Sequence, residues 1–193
     1  SRYAYDIAGR DKEAHQGNIR VVYHFGTWWR HQFGGSVLMG GLYNMDTRKT
    51  GLRTAFALHY VADYRQWNLK TQYTNYNLRP VRASGEDRRV VTMAAYGSSY
   101  RIVSRADIYT VSLSYRIPVN KCFLDSICLY NDFSLLDKRI AGFNDSLENV
   151  TGCSLAMGNV FAYIDYAVGR NHAWLGDVWD EAFARGMEDN WNV

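Results

Sequence analysis

The sequence contains little proline and cysteine, and it lacks any long apolar run. Only 2 prolines and 3 cysteines occur in 193 residues, which excludes a proline-rich linker protein and a disulfide-dense secreted scaffold. No apolar run approaches the roughly 18 residues of a transmembrane helix, so a helical membrane protein is excluded as well. The formal net charge of +3 is small and spread along the chain, and it therefore predicts no nucleic-acid partner.

The motifs of metal-dependent and nucleophilic enzymes are also missing. The five histidines form no HxH or HxxxH pair of the kind that holds zinc. No glycine-rich phosphate loop precedes a helix, and no GxSxG motif places a serine on a strand-to-helix turn. The sequence therefore predicts no cofactor, no metal and no enzymatic activity. We interpret Cys122, Cys128 and Cys153 as small apolar residues. A disulfide between two of them is the alternative.

Aromatic residues and glycine, by contrast, are abundant. The chain has 15 Tyr, 8 Phe, 6 Trp and 16 Gly, and 47% of its residues are hydrophobic. This hydrophobic content excludes a disordered chain. Because no apolar helix is available, the composition leaves two classes, a soluble all-β protein and a membrane β-barrel.

A period of two residues runs through most of the chain and predicts β-strands. Between Leu52 and Tyr64 the even positions are mostly apolar or aromatic, whereas the odd positions carry charged and small residues. Five further segments alternate in the same way, and in two more the glycines blur the two faces: 18–25, 67–74, 109–117, 126–134, 160–168, 33–43 and 149–158. We count eight strands of about 9–13 residues, the length that a tilted strand needs to cross a bilayer. Aromatic residues cluster near the strand ends, which is typical of membrane-interface girdles.

The links between these strands alternate in length. Short links at 26–32, 65–66, 120–125 and 158–159 alternate with longer ones, as the periplasmic turns and external loops of membrane barrels do. The alternation holds if 79–106 is one long external loop, and we expect this loop to fold into the lumen and narrow it. Its Tyr96, Arg101 and Arg105 would then lie at the constriction. An ordinary extra hairpin is the alternative for this segment.

Several stretches, taken in order, resemble the outer-membrane porins of Gram-negative bacteria. They are "NIRVVYHF", "GLRTAFALHYVADYRQWNLKTQYTNYN", "DIYTVSLSYRIPVN", "DSICLYNDFSLLDKRIAGFNDS" and "VFAYIDYAVGRNHAWLG". The group they resemble is the proteobacterial one related to the phosphate-selective porins O and P. Members of that group continue beyond the equivalent of "DNWN" into a last strand that ends in an aromatic residue. The resemblance therefore covers the C-terminal portion of such a porin, with the last strand missing.

The resemblance implies a fold, a location and an activity. The fold would be all-β, a transmembrane antiparallel up-and-down β-barrel, in which residues 1–193 supply about eight spans of roughly 16–18. The location would be the bacterial outer membrane, in contact with its lipid and lipopolysaccharide, and the assembly a homotrimer. The activity would be passive diffusion of small hydrophilic solutes or ions through the channel. Residues 1–17 would be the tail of an external loop.

The alternation also predicts which side chains point into the lumen. These are Arg20, His24, Arg53, His59, Asp63, Lys70, Gln72, Arg116, Asp132 and Asp165. Arginine and lysine outnumber aspartate in this set, so we expect a weak preference for anions. Phosphate selectivity does not follow from the resemblance, because the lysine and arginine ladder of the phosphate-selective porins is not recognisable here residue by residue.

Two other functions fit the same pattern. One is a non-conducting outer-membrane barrel that acts as a structural anchor or an adhesin. The other is a soluble β-barrel that binds a small apolar ligand, which would bury its apolar residues inside the barrel and would need no detergent. Solubility and conductance distinguish the three functions.

Overall fold

The computed structural model describes residues 10–95, 98–121, 123–172, 182–184 and 191–192, and these are almost entirely β-strand. The strands are β1 Asp11–Phe25, β2 Arg30–Asn44, β3 Lys49–Tyr64, β4 Trp67–Arg79, β5 Val90–Ala95, β6 Ser98–Val103, β7 Arg105–Lys121, β8 Leu124–Asp137, β9 Ser146–Met157, β10 Val160–Arg170 and β11 Trp191–Asn192. A short 3-10 helix covers Ala182–Ala184. No helix within these described ranges is long and apolar enough to cross a membrane.

Nine of the strands form one antiparallel sheet, in the order β1-β2-β3-β4-β7-β8-β9-β10-β11. Each long strand pairs with the next long strand along the chain, so the sheet is of the up-and-down type. The prediction of an all-β, antiparallel up-and-down arrangement is confirmed, and its eight long strands match the eight predicted segments. Within the described residues the sheet is not closed into a ring, because β1 pairs with β2 alone and β10 pairs beyond β9 only at Gly169 and Arg170.

The structure differs from the sequence-based expectation at the first strand. β1 begins at Asp11, whereas residues up to 17 were expected to be loop. A β-bulge between Ala14 and Gly17, with His15 at φ 45°, inserts one extra residue opposite β2. The bulge shifts the alternation by one position, so the period of two breaks there and hides the first part of the strand.

The two ends of the sheet differ in their links. At the short-turn end, the links after β1, β3, β7 and β9 contain two to four residues. At the long-loop end, the link after β8 spans 138–145 and the link from β4 to β7 contains β5 and β6. The link after β2 is an exception, because 45–48 is only four residues long. The alternation of short and long links is therefore less strict than predicted.

Segment 79–106 forms a hairpin of β5 and β6, a separate two-stranded sheet. It adds no strand to the large sheet, because β4 pairs directly with β7. One side of the hairpin packs against the large sheet at the long-loop end, where Leu42, Leu78 and Val91 form an apolar cluster with Tyr76, Met93 and Ile102. We call β5 and β6 the packed hairpin.

The two faces of the large sheet differ in chemistry. The apolar face carries large exposed apolar side chains from all the long strands except β9, including Ile19, Val37, Phe56, Leu113, Leu129 and Ile164. The polar face carries the charged side chains and, at the long-loop end, the packed hairpin. Ile19 is 73% exposed, so the apolar face has no protein cover in the described part of the chain.

Two cysteines are described, and both are free thiols. Cys128 pairs in register with Ser154, and Cys153 pairs with Leu129 on the neighbouring strand. Adjacent residues of a strand point to opposite faces, so Cys128 lies on the polar face and Cys153 on the apolar face. They are therefore not bonded to each other, and Cys122 lies outside the described residues.

Candidate functional site

All ten side chains predicted to point into a lumen lie on one face of the sheet. The register carries this face from strand to strand, for example from Gly34 to His59 and Gln72, and then through Thr110 to Ser134. The ten residues are Arg20, His24, Arg53, His59, Asp63, Lys70, Gln72, Arg116, Asp132 and Asp165, and they define the polar face. Alternation along each strand therefore assigned all ten residues to one face of the sheet, and their position in a lumen stays a prediction.

Charge is distributed unevenly across the polar face. The cations Arg20, Arg53, Lys70 and Arg116 lie on β1, β3, β4 and β7, whereas Asp132 and Asp165 lie on β8 and β10. Lys70 and Asp132 share one register row, with Ser112 between them. Two strand spacings, about 10 Å, separate their backbones.

His59 is the centre of a polar contact in the middle of the face. Its Nε2 lies 3.3 Å from Nη2 of Arg20 and 2.9 Å from Nε2 of Gln32. Both neighbours are donors, so Nε2 of a neutral His59 acts as the acceptor. Gly34, which pairs with His59, leaves room for the ring, because a Cβ at that position would collide with it. This glycine belongs to a strand whose faces the sequence had left blurred.

The carboxylates of the polar face have partners too. Asp63 accepts a hydrogen bond of 2.6 Å from Nδ2 of Asn68 and lies 3.9 Å from the guanidinium of Arg30. Asp165 accepts a short hydrogen bond from the hydroxyl of Tyr130. The space for that contact comes from Gly152, where a Cβ would meet both side chains.

The packed hairpin is fastened to the sheet by Asp11. Its Oδ2 accepts from Nη2 of Arg82 at 2.5 Å and from the backbone N–H of Thr92 at 3.1 Å. Its Oδ1 accepts from Nδ2 of Asn44 at 2.8 Å. Asp11 therefore joins β1, β2, the start of the 80–89 segment and β5 at one carboxylate. Three donors on a buried carboxylate compensate for most of the lost hydration.

The three predicted constriction residues lie in different places. Arg101 is exposed on β6 opposite Thr92, on the side of the packed hairpin away from Val91 and Ile102. Arg105 is the first residue of β7 and pairs in register with Asn77, which lies on the apolar face. Nε of Arg105 donates to the carbonyl of Arg139 at 3.0 Å. The structure therefore does not bring Arg105 together with the polar face. Tyr96 lies outside the described residues.

A cavity of about 1220 Å³ lies between the packed hairpin and the first two strands. Its lining mixes polar and apolar side chains and contains charges of both signs, including Glu13 and Arg48. Beside it, Arg53 pairs with Glu13 at 2.6 Å and donates to Oε1 of Gln16 at 3.0 Å.

Comparisons with known proteins give no relative for this chain. No family model, curated protein or solved structure matches it. The described residues also contain no cluster of three or more His, Cys, Asp or Glu side chains that would hold a metal ion. The chemistry the site offers is hydrogen bonding and charge distributed along a wall, suited to hydrated ions and polar solutes.

Several residues of the site were not predicted. Gln32 and Arg30 lie at the start of β2, within the segment 26–32 that was expected to be a link, and Glu13 precedes the bulge in a segment expected to be loop. Tyr130 alternates in step with Asp132, so the period of two could have found it. The hydrogen bond between Tyr130 and Asp165 could not be foreseen, because it crosses from β8 to β10 over Gly152.

Aromatic side chains form two bands on the apolar face. The short-turn band joins stacked or tilted pairs, Phe25 with His31, Trp29 with Tyr64, and Trp67 with Tyr115, at centroid distances of 4.9, 4.3 and 4.6 Å. The long-loop band joins Tyr73 to Phe56 and to Tyr109 at 5.6 and 5.3 Å. On β7 the bands are six residues apart, about 20 Å along the strand.

Proposed function

We propose that the chain forms part of the wall of an outer-membrane porin, a passive diffusion channel for small hydrophilic solutes or ions. In this proposal the sheet belongs to a wider transmembrane barrel of roughly 16–18 strands, and further strands pair with its open edges. The barrel lies in the outer membrane of a Gram-negative bacterium as a homotrimer, in contact with lipid and lipopolysaccharide. It carries no cofactor and performs no catalysis.

The observation that carries the proposal is the exposed apolar face. Large apolar side chains stand exposed on β1, β2, β3, β4, β7 and β8, which are consecutive neighbours in the sheet, and again on β10. Water-soluble proteins rarely expose contiguous apolar patches of more than a few hundred Å². A lipid environment gives such a face a favourable solvent, whereas water does not.

The dimensions of that face support the same proposal. Strands of 11–17 residues are long enough for the 9–11 residues that a tilted strand needs to cross a bilayer. Aromatic bands near both ends of the apolar face are typical of the two membrane interfaces. From Asp107, a buried carboxylate of the apolar face, to Tyr115 is eight residues, about 27 Å along the strand. At the usual strand tilt of about 40° this projects to about 20 Å along the membrane normal, somewhat less than the roughly 25 Å apolar band of barrels.

The polar face supports the channel. If the sheet closes with its apolar face towards lipid, the charged side chains and the packed hairpin lie inside. The hairpin then narrows the passage at the long-loop end, and Arg101 extends from it into the remaining space. A soluble barrel that binds an apolar ligand would need the opposite orientation, with the hairpin on its outer surface.

The ion pairs on the polar face favour a weak anion preference. Arg53 is paired with Glu13, and Asp63 with Arg30. Arg20, Lys70 and Arg116 form no ion pair within the described residues, against the two carboxylates Asp132 and Asp165. A small excess of unpaired positive charge lowers the barrier for anions more than for cations.

Planar-bilayer conductance of the purified protein, with the reversal potential measured in a salt gradient, tests the proposal. The expected result is stable current steps and a reversal potential displaced towards the equilibrium potential of the anion. A folded, detergent-bound protein that inserts but never conducts would contradict the channel and favour an anchor or adhesin. A protein that stays monodisperse in water without detergent would contradict the membrane location itself.

A further inference from the structure

A second cavity, of about 480 Å³, lies at the long-loop end of the apolar face. It is lined by Asn75, Tyr76, Asn77, Arg105, Asp107 and Arg139. Asn75, Asn77, Arg105 and Asp107 pair across β4 and β7 on the apolar side of the sheet. The polar face and its cations take no part in this cavity, apart from the ring of Tyr76. It is therefore separate from the proposed channel wall.

The carboxylate of Asp107, which lines this cavity, already accepts three hydrogen bonds. Asp107 accepts hydrogen bonds from Tyr73 at 2.9 Å, from Asn75 at 2.6 Å and from Nε of Arg139 at 2.5 Å. Asp107 as a whole residue is 3% exposed. The Asp107 carboxylate thus holds Arg139 in place and offers no open site for a cation.

Two exposed arginines at this end of the apolar side form no ion pair within the described residues. Arg105 lines the cavity as the register partner of Asn77, and Arg79 lies just outside the lining, two residues beyond Asn77 on the same side of β4. Arg105 uses Nε to reach the carbonyl of Arg139, which leaves its two Nη groups for another acceptor. Arg79 and Arg105, with the neighbouring guanidinium of Arg139, provide the forked donors that phosphate oxygens accept best.

The position of the cavity indicates where such a phosphate would come from. The cavity lies directly beyond the long-loop band, since Asp107 and Asn75 are each two residues from Tyr109 and Tyr73. Below it along β7 lie Tyr109, Val111 and Leu113, all exposed. An amphiphile whose chains cover this apolar surface would place its headgroup at the arginines.

From this juxtaposition we propose that Arg79, Arg105 and Arg139 bind the phosphate of an anionic membrane lipid headgroup, with the acyl chains lying on the apolar face below. The inference rests on the proposed membrane location, and it assigns the lipid contact to particular residues. A free phosphate ion is the other source of the same chemistry, but it gains nothing from the apolar surface.

The test measures binding to the full chain, folded in detergent micelles, from the rise in unfolding temperature with ligand concentration. Three probes are compared: bisphosphorylated lipid A, the same lipid without its phosphates, and inorganic phosphate. The variant is Arg79→Gln with Arg105→Gln. The matched control is Lys121→Gln, which removes an exposed cation at the other end of β7.

We expect saturable binding of bisphosphorylated lipid A, weakened about tenfold or more in the double variant because two charge-assisted contacts are lost. The control should bind like the unmodified chain, and the other two probes should bind at least about tenfold more weakly. Equal affinity of the double variant, or of the lipid without phosphates, would overturn the site. Binding of inorganic phosphate as tight as that of the lipid would instead make it a free-anion site.

Vesicle flotation of the same preparation separates the two proposals. A chain that floats with vesicles but shows no phosphate-dependent lipid binding contradicts the lipid site and leaves the porin proposal standing. A chain that does not float contradicts both proposals.

Discussion

Asp11 and Arg82 form an ion pair at 2.5 Å between side chains that are 0% and 3% exposed. They are 71 residues apart in sequence, and together they hold the packed hairpin on the polar face. Leu42, Leu78 and Val91 add an apolar contact between the sheet and the hairpin. In a buried ion pair each charge is stabilised by the other, so loss of either side chain leaves an uncompensated charge in the interior.

Arg82→Met is therefore expected to destabilise the packed hairpin by about 3–5 kcal/mol. Asp11→Asn should have a similar effect, because it removes the charge that Arg82 requires. If the hairpin narrows a channel, its release should raise single-channel conductance and expose 80–106 to proteolysis. Conductance and limited proteolysis of the same preparation measure both effects.

The exposed pair of Asp87 and Arg89 supplies the control for this experiment. Their side chains are 46% and 59% exposed, and exposed pairs contribute only about 0–1 kcal/mol. Asp87→Asn should leave conductance and cleavage unchanged. Unchanged conductance in Arg82→Met despite rapid cleavage of 80–106 would show that the hairpin does not restrict ion flow.

The two faces of β7 allow a matched test of the membrane environment. Leu113 is on the apolar face and 43% exposed, and Ser112 is its neighbour on the polar face. At the middle of a bilayer an arginine on the lipid side of a barrel costs about 2–4 kcal/mol. Leu113→Arg should therefore impair insertion into vesicles, whereas Ser112→Arg should insert normally. Equal insertion of the two variants would contradict a lipid-facing apolar side.

The strands themselves could be predicted because the period of two is a local property. A strand with one apolar and one polar face alternates its side chains whatever lies beside it, so the face of Asp132 or Arg53 follows from position alone. The prediction failed where the geometry is not local. The bulge at His15 shifts the alternation of β1, and nothing in the residues before Gly17 signals that shift.

The packing of the hairpin also escaped prediction, for a different reason. Val91 is buried by contacts with Leu42 of β2 and Leu78 of β4, and such contacts depend on tertiary structure. The face of the sheet on which the Arg105 side chain lies depends on the residue at which β7 begins. Segment 79–106 has no long alternation. The sequence therefore marked it as an insertion between two strands of the large sheet but did not indicate where its individual side chains lie.

Ion selectivity provides a third prediction. Lys70→Glu reverses the charge in the row that also holds Asp132. A unit charge about 8 Å away in salt water changes the energy of an ion by a few tenths of a kcal/mol. This variant changes two unit charges, and it raises the energy of an anion while it lowers that of a cation, so the anion-to-cation permeability ratio should fall about fourfold. Lys121→Glu is the control, and a reversal potential that moves equally in both variants would rule out a specific role for Lys70.

A fourth prediction concerns the reactivity of the native cysteines towards thiol reagents. With Cys122 replaced by serine in both cases, one variant retains Cys128 alone and the other Cys153 alone. A charged, membrane-impermeant thiol reagent should modify Cys128 on the polar face and reduce the current. Cys153, on the apolar face, should react only with a lipid-soluble maleimide. Both thiols are partly exposed, so a water-soluble protein would show similar rates for the two.

The last prediction concerns Lys138, which follows β8 in the 138–145 link. Burial lowers the pKa of its ammonium group from 10.5 to about 8, with Asp145 raising it and Arg170 lowering it further. Between these two values the unfolded chain keeps a proton that the folded chain has lost. The free energy of unfolding should therefore rise with pH from about 8 to 10.5, by up to about 3 kcal/mol.

Urea unfolding of vesicle-bound protein at pH 7, 9 and 10.5 measures this dependence. In Lys138→Met the contribution of Lys138 disappears, so the variant should be more stable than the unmodified chain at pH 7 and similar to it at pH 10.5. Tyrosines and other lysines titrate in both proteins, so the difference between the two isolates Lys138. A stability difference that stays constant from pH 7 to 10.5 would mean that Lys138 keeps its proton in the folded chain.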